Sequence, residues 1–412
     1  MKVLHISTYD YGGAGLAAWR IHSAMRSANL ESMMLVKEKH SDDENVVSAV
    51  PNLNQYQPPK GKVLRKIKKL LRKRGRCLTP LEVLERQKNR IQTETGAFYT
   101  LPVSNYDLSN HSLVQWADII HLHWIADFVD YPTFFQNVNK PIVWTFHDEN
   151  IGFGGFHYQK MAERFSSQFG LIEEHLVDMK RKSLSGARNI HMVALSKMML
   201  EFYQQKAINN TFPVSIIHNG FSSSDFAPRN KNAAREVLGI SPDATVFVFC
   251  AAFLNEERKG LIKLVRTLEG LSIPNCTLLC IGSGVKPVGD INIMAIGQVA
   301  NQRLMSMLYS AGDFFVMPSE QEAFAQTPIE ALACGLPVIA FPVSGTEELI
   351  NDCNGVRCGG FDIASLTEGI KVAMSRVYDK TQIRDDVVKR FDIATIVSQY
   401  IKLYEELLSL QF

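Results

Sequence analysis

The stretch EAFAQTPIEALACG, Glu322 to Gly335, sets two carboxylates, Glu322 and Glu330, eight positions apart around the start of a helix. Thr327 reads as the N-cap, Pro328 as the first helical residue, and Glu330 falls three residues after the cap, a capping box. Gly335 and Pro337 end the helix. The box gives Glu330 a structural reason to be there. Glu322 has none, because it precedes the cap and follows the apolar run DFFVMPS. The backbone N–H groups of Phe324, Ala325, Gln326, Thr327 and Ile329 can meet an anion there, aided by about half a positive charge at the helix N-terminus. A carboxylate beside a phosphate site is a poor phosphate ligand but a good acceptor for sugar hydroxyls. Together these features describe a ligand with both phosphate and hydroxyls, a nucleotide sugar.

Other residues fit the same chemistry. NEERKGL places adjacent cations, Arg258 and Lys259, before a glycine and a helix. A departing diphosphate needs such cations, although a solvated charged loop reads the same way. No D-x-D ends a strand to carry a metal, so the cations are expected from the protein, with neither metal nor cofactor. CIGSG offers Gly282 and Gly284, whose bare backbone lets a nucleotide lie close. GGAG holds Gly12, Gly13 and Gly15 after a first strand, as a tight turn or a phosphate-facing loop. Their spacing is not G-x-G-x-x-G, and no acid ends the second strand, which argues against a nicotinamide dehydrogenase. His147 ends a strand in WTFHD. Asp148 could neutralise it or bind acceptor hydroxyls. His121 and His123 alternate on one strand and face one side, and core packing explains them equally well.

Short continuous apolar runs mark buried parallel strands. In the first half they fall at 2–7, 32–37, 118–124, 141–147, 191–196 and 214–219; in the second, at 245–253, 276–283, 292–297, 313–319 and 337–342. Helical stretches lie between them, including 14–28, 260–270, 301–311 and 327–335. The expected fold class is α/β, two doubly wound Rossmann-like domains facing across a cleft that holds the active site. The break falls near the Gly-, Ser- and Pro-rich 219–230, giving a first domain over 1–218 and a second over 219–392.

The 412 residues suit two domains, and a net charge of +2 gives no general attraction to nucleic acid. MKVLHIS reads as a strand rather than a signal peptide, and no apolar run is long enough to span a bilayer. Cys250, Cys280 and Cys334 sit in apolar runs, as buried thiols in a reducing compartment would. KGKVLRKIKKLLRKRGR, residues 60–76, carries ten Lys or Arg and no acid, with aliphatic residues at helical spacing. It reads as a basic amphipathic helix for an anionic membrane surface, or as a solvated excursion.

EAFAQTPIEALACGLPVIA resembles the E-x7-E signature of the family 4 (group 1) retaining glycosyltransferases of GT-B fold. STYDYGGAGLAAWRIHSAM resembles that family's first loop and helix, and VSIIHNGFSSSDFAP its entry to the second domain. DIIHLHWI and WTFHDENIGFGGFHY resemble segments of bacterial polysaccharide, colanic acid-type members. The likeness covers most of residues 1–350, and it implies an acceptor-binding domain over 1–218, with a last helix within 393–412 packing back on it, and a nucleotide-sugar-binding domain over 219–392. It implies that Glu322 contacts the donor sugar and Glu330 the ribose hydroxyls. It places His147 near the reacting sugar, Gly13 and Gly15 toward donor diphosphate and acceptor, and Gln298 and Val299 at the base. Lys259 matches the diphosphate-clamping Lys, whereas Phe253 stands at the Arg position, leaving Arg258 as a nearby substitute. The activity implied is transfer, with retention, from a nucleoside diphosphate sugar to a glycan or lipid-linked acceptor in cell-surface polysaccharide synthesis. A cytoplasmic enzyme, peripheral on the inner face of the cell membrane, fits that role. A nucleotide-sugar epimerase of the same fold and a non-catalytic nucleotide-sugar-binding subunit remain alternatives.

Overall fold

The computed structural model describes residues 1–52, 78–284 and 288–410. The basic segment 60–76 lies outside the described residues. By internal packing the chain divides into two units, one of Met1–Ala194, Leu200–Ser215 and Lys402–Phe412, the other of Leu195–Met199 and Ile216–Ile401.

The first unit is built on a parallel sheet of seven strands: β1 (Lys2–Tyr9), β2 (Glu31–Glu38), β3 (Val46–Ser48), β4 (Ile119–Leu122), β5 (Ile142–Thr145), β6 (Ile190–Ala194) and β7 (Val214–Ile216). Their spatial order is β3-β2-β1-β4-β5-β6-β7. The chain winds outward one way from β1 and the other way from β4, so the order reverses between these two strands. β1, β4 and β5 are buried over nearly their whole length, which is why they read as unbroken apolar runs. Helix Gly12–Ser27 starts directly after β1, behind Tyr11, which makes no side-chain cap. Gly15 is fixed by packing, because a Cβ there would lie 2.6 Å from the Tyr9 carbonyl oxygen.

The second unit repeats the plan with six parallel strands: β8 (Thr245–Phe253), β9 (Cys276–Ser283), β10 (Asn292–Gly297), β11 (Phe314–Met317), β12 (Val338–Ala340) and β13 (Gly355–Arg357). The order β10-β9-β8-β11-β12-β13 reverses between β8 and β11. Phe247, Phe249, Leu264, Leu268, Val316 and Ile339 form the centre of its core. All eleven expected strands are present. β3 and β13 were not anticipated: each has three residues at a sheet edge, too short to show a pattern. Helix Ile393–Ser409 spans both units, and its residues from Lys402 onward group with the first. No helix among the described residues is long and apolar enough to cross a membrane.

Candidate active site

In an open α/β sheet, ligands collect beyond the carboxyl ends of the strands where the strand order reverses. In the second unit that point lies between β8 and β11. The loop after β8 carries Asn255 to Lys259, and the loop after β11 carries Pro318 to Ala325. Topology therefore brings the two cations and the first carboxylate together. Lys259 Nζ lies 2.6 Å from Glu322 Oε1, and Arg258 Nη1 lies 3.8 Å from the same oxygen. Arg258 is anchored besides by Glu256, 2.5 Å from its Nε, and by donating to the Gln321 carbonyl at 2.9 Å.

The Glu322 carboxyl is largely buried, which alone would raise its pKa. Lys259 and Arg258, with hydrogen bonds from Lys259 and Ser319, outweigh burial and hold it below the usual carboxylate range. The ion is thus maintained by its partners. Gly260 makes the approach feasible: its φ is +76°, and a Cβ would meet the Pro318 carbonyl oxygen at 2.1 Å. Only glycine lets the Lys259 loop lie against the end of β11.

Helix Gln326–Ala333 begins one turn from Glu322, with its N-cap at Ala325 rather than Thr327. The expected capping box is therefore absent. Pro328 stands at the third helical position, where no intrahelical N–H bond is required. Glu330, now at the fifth, is 5% exposed and accepts a hydrogen bond from the Tyr309 hydroxyl at 3.0 Å. That buried hydroxyl, not the helix cap, accounts for its place. Gly335, φ +72°, closes the helix as expected. The preceding loop is pinned by Phe324, whose ring stacks on His218 and whose carbonyl accepts from Asn219 Nδ2 at 2.9 Å. Gln326 and Thr327 occupy the first turn and are half-buried. Tyr309, Ser319 and Asn219 were missed from the sequence, since nothing local marks a residue that serves another element.

At the neighbouring strand end, Gly282 has φ +144° and would place a Cβ 1.9 Å from the Ala251 carbonyl oxygen; Gly284 has φ +117° and borders Asn255. Gln298 follows β10, exposed, and accepts from Ser283 Oγ at 3.1 Å, with half-buried Val299 beside it. Phe253, at the end of β8, is 61% exposed. Cys250, Cys280 and Cys334 form no disulfide among the described residues, and burial pushes Cys250 and Cys334 up to about 12.

In the first unit the corresponding reversal lies between β1 and β4. The GGAG residues form the first turn of the helix after β1 rather than the expected turn or loop: Gly13 is exposed with open space where a Cβ would sit, and Gly15 is buried. His147 stands two residues beyond the end of β5, with its Nε2 3.3 Å from His123 Nδ1. Asp148 does not neutralise it. Its carboxylate instead accepts from Trp124 Nε1 at 2.7 Å and Asn150 N at 3.0 Å, and pairs with His157 Nδ1 at 2.6 Å. Burial opposes its ionisation, yet His157 and these hydrogen bonds keep its pKa low. Sequence spacing also missed a cluster of fully buried imidazoles, His5, His121 and His123, because His5 joins it only through the pairing of β1 with β4.

Residues 244–376 match the family described as Glycosyl transferases group 1. The D-inositol 3-phosphate glycosyltransferase of Mycobacterium sp. (strain KMS) is 28% identical over 194 residues, 43% of this chain and 43% of that protein. The uncharacterized glycosyltransferase MJ1607 of Methanocaldococcus jannaschii is 24% identical over 310 residues, 70% of this chain and 75% of that one. The chain thus spans under half the length of the first of these relatives. Among solved structures, Anabaena Alr3699/HepE in complex with UDP-glucose superposes with TM-score 0.65 at 16% identity, covering 98% of this chain and 100% of that one. Sucrose-phosphate synthase from Thermosynechococcus elongatus does so with TM-score 0.64 at 18% identity, covering 100% of both chains. The chain has the GT-B fold, and its residues 244–376 are similar to the group 1 glycosyl transferases.

Proposed function

We propose that the protein is a retaining glycosyltransferase that moves a sugar from a nucleoside diphosphate sugar to a hydroxyl of a glycan or lipid-linked acceptor, in cell-surface polysaccharide synthesis. The observation that carries this reading is the contact of Lys259 with Glu322, at 2.6 Å, where the strand order of the glycosyltransferase domain reverses. A cation and a carboxylate held side by side match the two adjoining chemistries of a sugar phosphate. Glu322 grips sugar hydroxyls. Lys259, with Arg258 and the N–H groups of Phe324 to Thr327, holds the diphosphate and stabilises the charge that builds as it leaves. Glu330, Gly282, Gly284, Gln298 and Val299 border the nucleoside. In the first unit, Gly13 presents open backbone, buried Gly15 seats the helix start against β1, and His147 meets a sugar oxygen of the substrate. The acceptor hydroxyl enters on the face from which the diphosphate departs, and the leaving phosphate takes its proton. The cations come from the protein, with no metal or further cofactor, and the basic segment 60–76 holds the enzyme on an anionic membrane surface from the cytoplasmic side.

Phe253 supports a second reading. A ring at the position where relatives of this family place a diphosphate-binding Arg suits a subunit that binds nucleotide sugar without turning it over. One experiment separates the two. UDP-, GDP- and ADP-sugars are screened by thermal shift, since a ligand of the folded state raises its stability. The one that stabilises most is then tested for release of nucleoside diphosphate. Slow hydrolysis, lost in Glu322→Gln, supports the transferase; binding without release supports the subunit; no stabilisation by any donor contradicts both.

A further inference from the structure

The first unit holds a line of imidazoles, only the last of which enters the proposed chemistry. His5 and His121 pair across β1 and β4, and His123 lies two residues beyond His121 on the same face. His5 Nδ1 is 3.0 Å from His123 Nε2, and His123 Nδ1 is 3.3 Å from His147 Nε2. His5 Nε2 is buried and has no hydrogen-bond partner. His147, half-buried, makes no other hydrogen bond among the described residues, so its Nδ1 remains available to a ligand. Burial, then the neighbouring imidazoles, pushes His5 and His123 well below their ordinary value. Burial takes His147 down to about 4, against the opposing charge of Asp148. All three rings are therefore neutral near pH 7, with one proton each.

That proton count allows only two arrangements. Each neutral ring has one N–H and one bare nitrogen, and each nitrogen–nitrogen contact needs a single proton. If His5 donates from Nδ1, His123 must donate from Nδ1 to His147 Nε2, and His147 carries its proton on Nδ1. If the chain runs the other way, His147 Nδ1 is bare and His5 bears an N–H with no acceptor in the core. Buried backbone N–H groups are left orphaned less often than carbonyl oxygens, and the same asymmetry applied to the unpartnered His5 Nε2 favours the first direction. We propose that the His5–His123 pair is a positioning device that locks His147 as its Nδ1–H tautomer, a hydrogen-bond donor at that atom and not a base. It donates to a sugar oxygen of the substrate. This last step rests on the proposed function; the tautomer does not.

A cation is the competing occupant, since ligand atoms of His5, His121 and His123 lie within 4.8 Å of one another. Both His121 nitrogens are already engaged, with Thr145 Oγ1 at 2.8 Å and the Tyr404 hydroxyl at 2.6 Å, and His5 Nδ1 contacts His123 Nε2, so that only His5 Nε2 lacks a partner. A metal would have to break this pairing.

The test is nitrogen NMR of the full chain labelled at histidine, without ligand, at pH 7.5. His147 is assigned by the resonances lost in His147→Asn. A neutral ring protonated at Nδ1 is expected, unchanged by one equivalent of zinc chloride. An Nε2–H tautomer, an imidazolium, or stoichiometric movement of the His5 and His123 signals with zinc would each overturn the proposal. The donor role is read from nucleoside diphosphate release. His147→Asn keeps an N–H near the Nδ1 position and should stay within about 10-fold of the native rate, while His147→Ala should lose about 100-fold. Equal losses in both overturn the donor role. Native rates in both, with the tautomer as expected, mean that His147 does not meet the sugar although the lock is real.

Discussion

The two units share one plan, yet they treat buried polar groups in opposite ways. In the first, the histidines beside the strand reversal are kept neutral and satisfy one another. In the second, Glu322 is kept charged, because two cations outweigh the penalty of burial. Removing one member of a buried ion pair leaves an uncompensated charge, whereas a neutral network tolerates low dielectric as long as every proton has an acceptor. The fold sets where a site lies. The local balance of burial against charge sets whether that site offers hydrogen-bond donors or ions.

The largest expected effect is on the charged side. Glu322→Gln should lower donor turnover by about 100- to 1,000-fold, the range for removing one group that stabilises a transition state. Far-UV circular dichroism should stay native. A rate within 3-fold of native removes Glu322 from the site. Next comes Gly282→Ala. A Cβ 1.9 Å from the Ala251 carbonyl, at φ +144°, should destabilise the second unit by about 3 kcal/mol through strain and overpacking. Urea unfolding followed by circular dichroism measures this, and an unchanged midpoint contradicts it.

Acid should separate the units. His22 and His147 are both depressed to about 4 from an ordinary 6.5. Between those values the unfolded chain binds protons that the folded chain does not, so stability falls as pH falls, by about 1.4 kcal/mol per pH unit for each histidine. The Glu322 carboxyl, depressed from 4.5, keeps its contribution above that pH and loses it only below. All four tryptophans, Trp19, Trp116, Trp124 and Trp144, belong to the first unit, so their fluorescence reports on it alone. Between pH 6.5 and 5 the fluorescence midpoint in urea should drop while the midpoint of Gly282→Ala-sensitive circular dichroism holds. Parallel drops would contradict the contrast.

The smallest effect is expected from Tyr309→Phe. It removes the 3.0 Å hydrogen bond to Glu330 and should cost about 1–2 kcal/mol. Nucleotide affinity should weaken more than maximal turnover. The reverse split would place Glu330 at the reacting atoms.

The strands and the order of the two series were legible because buried parallel strands are written as unbroken apolar runs. Glu322 and Lys259 were legible for a different reason, as chemistry at strand ends that packing alone does not demand. Their direct contact was not, since it depends on which strands end up adjacent. The same holds for His5, whose partners stand over a hundred residues away, and for Tyr309. The helix start was misplaced because Thr327, Pro328 and Glu330 imitate a cap locally. The fold instead uses Glu330 on its buried side.

The most direct measurement is a crystal structure of the chain soaked with whichever nucleotide sugar raises its melting temperature most. The account predicts the diphosphate against Lys259 and the first turn of helix Gln326–Ala333, with a sugar hydroxyl on Glu322. Clear density for the donor elsewhere, with Lys259 and Glu322 still paired to each other alone, would contradict it.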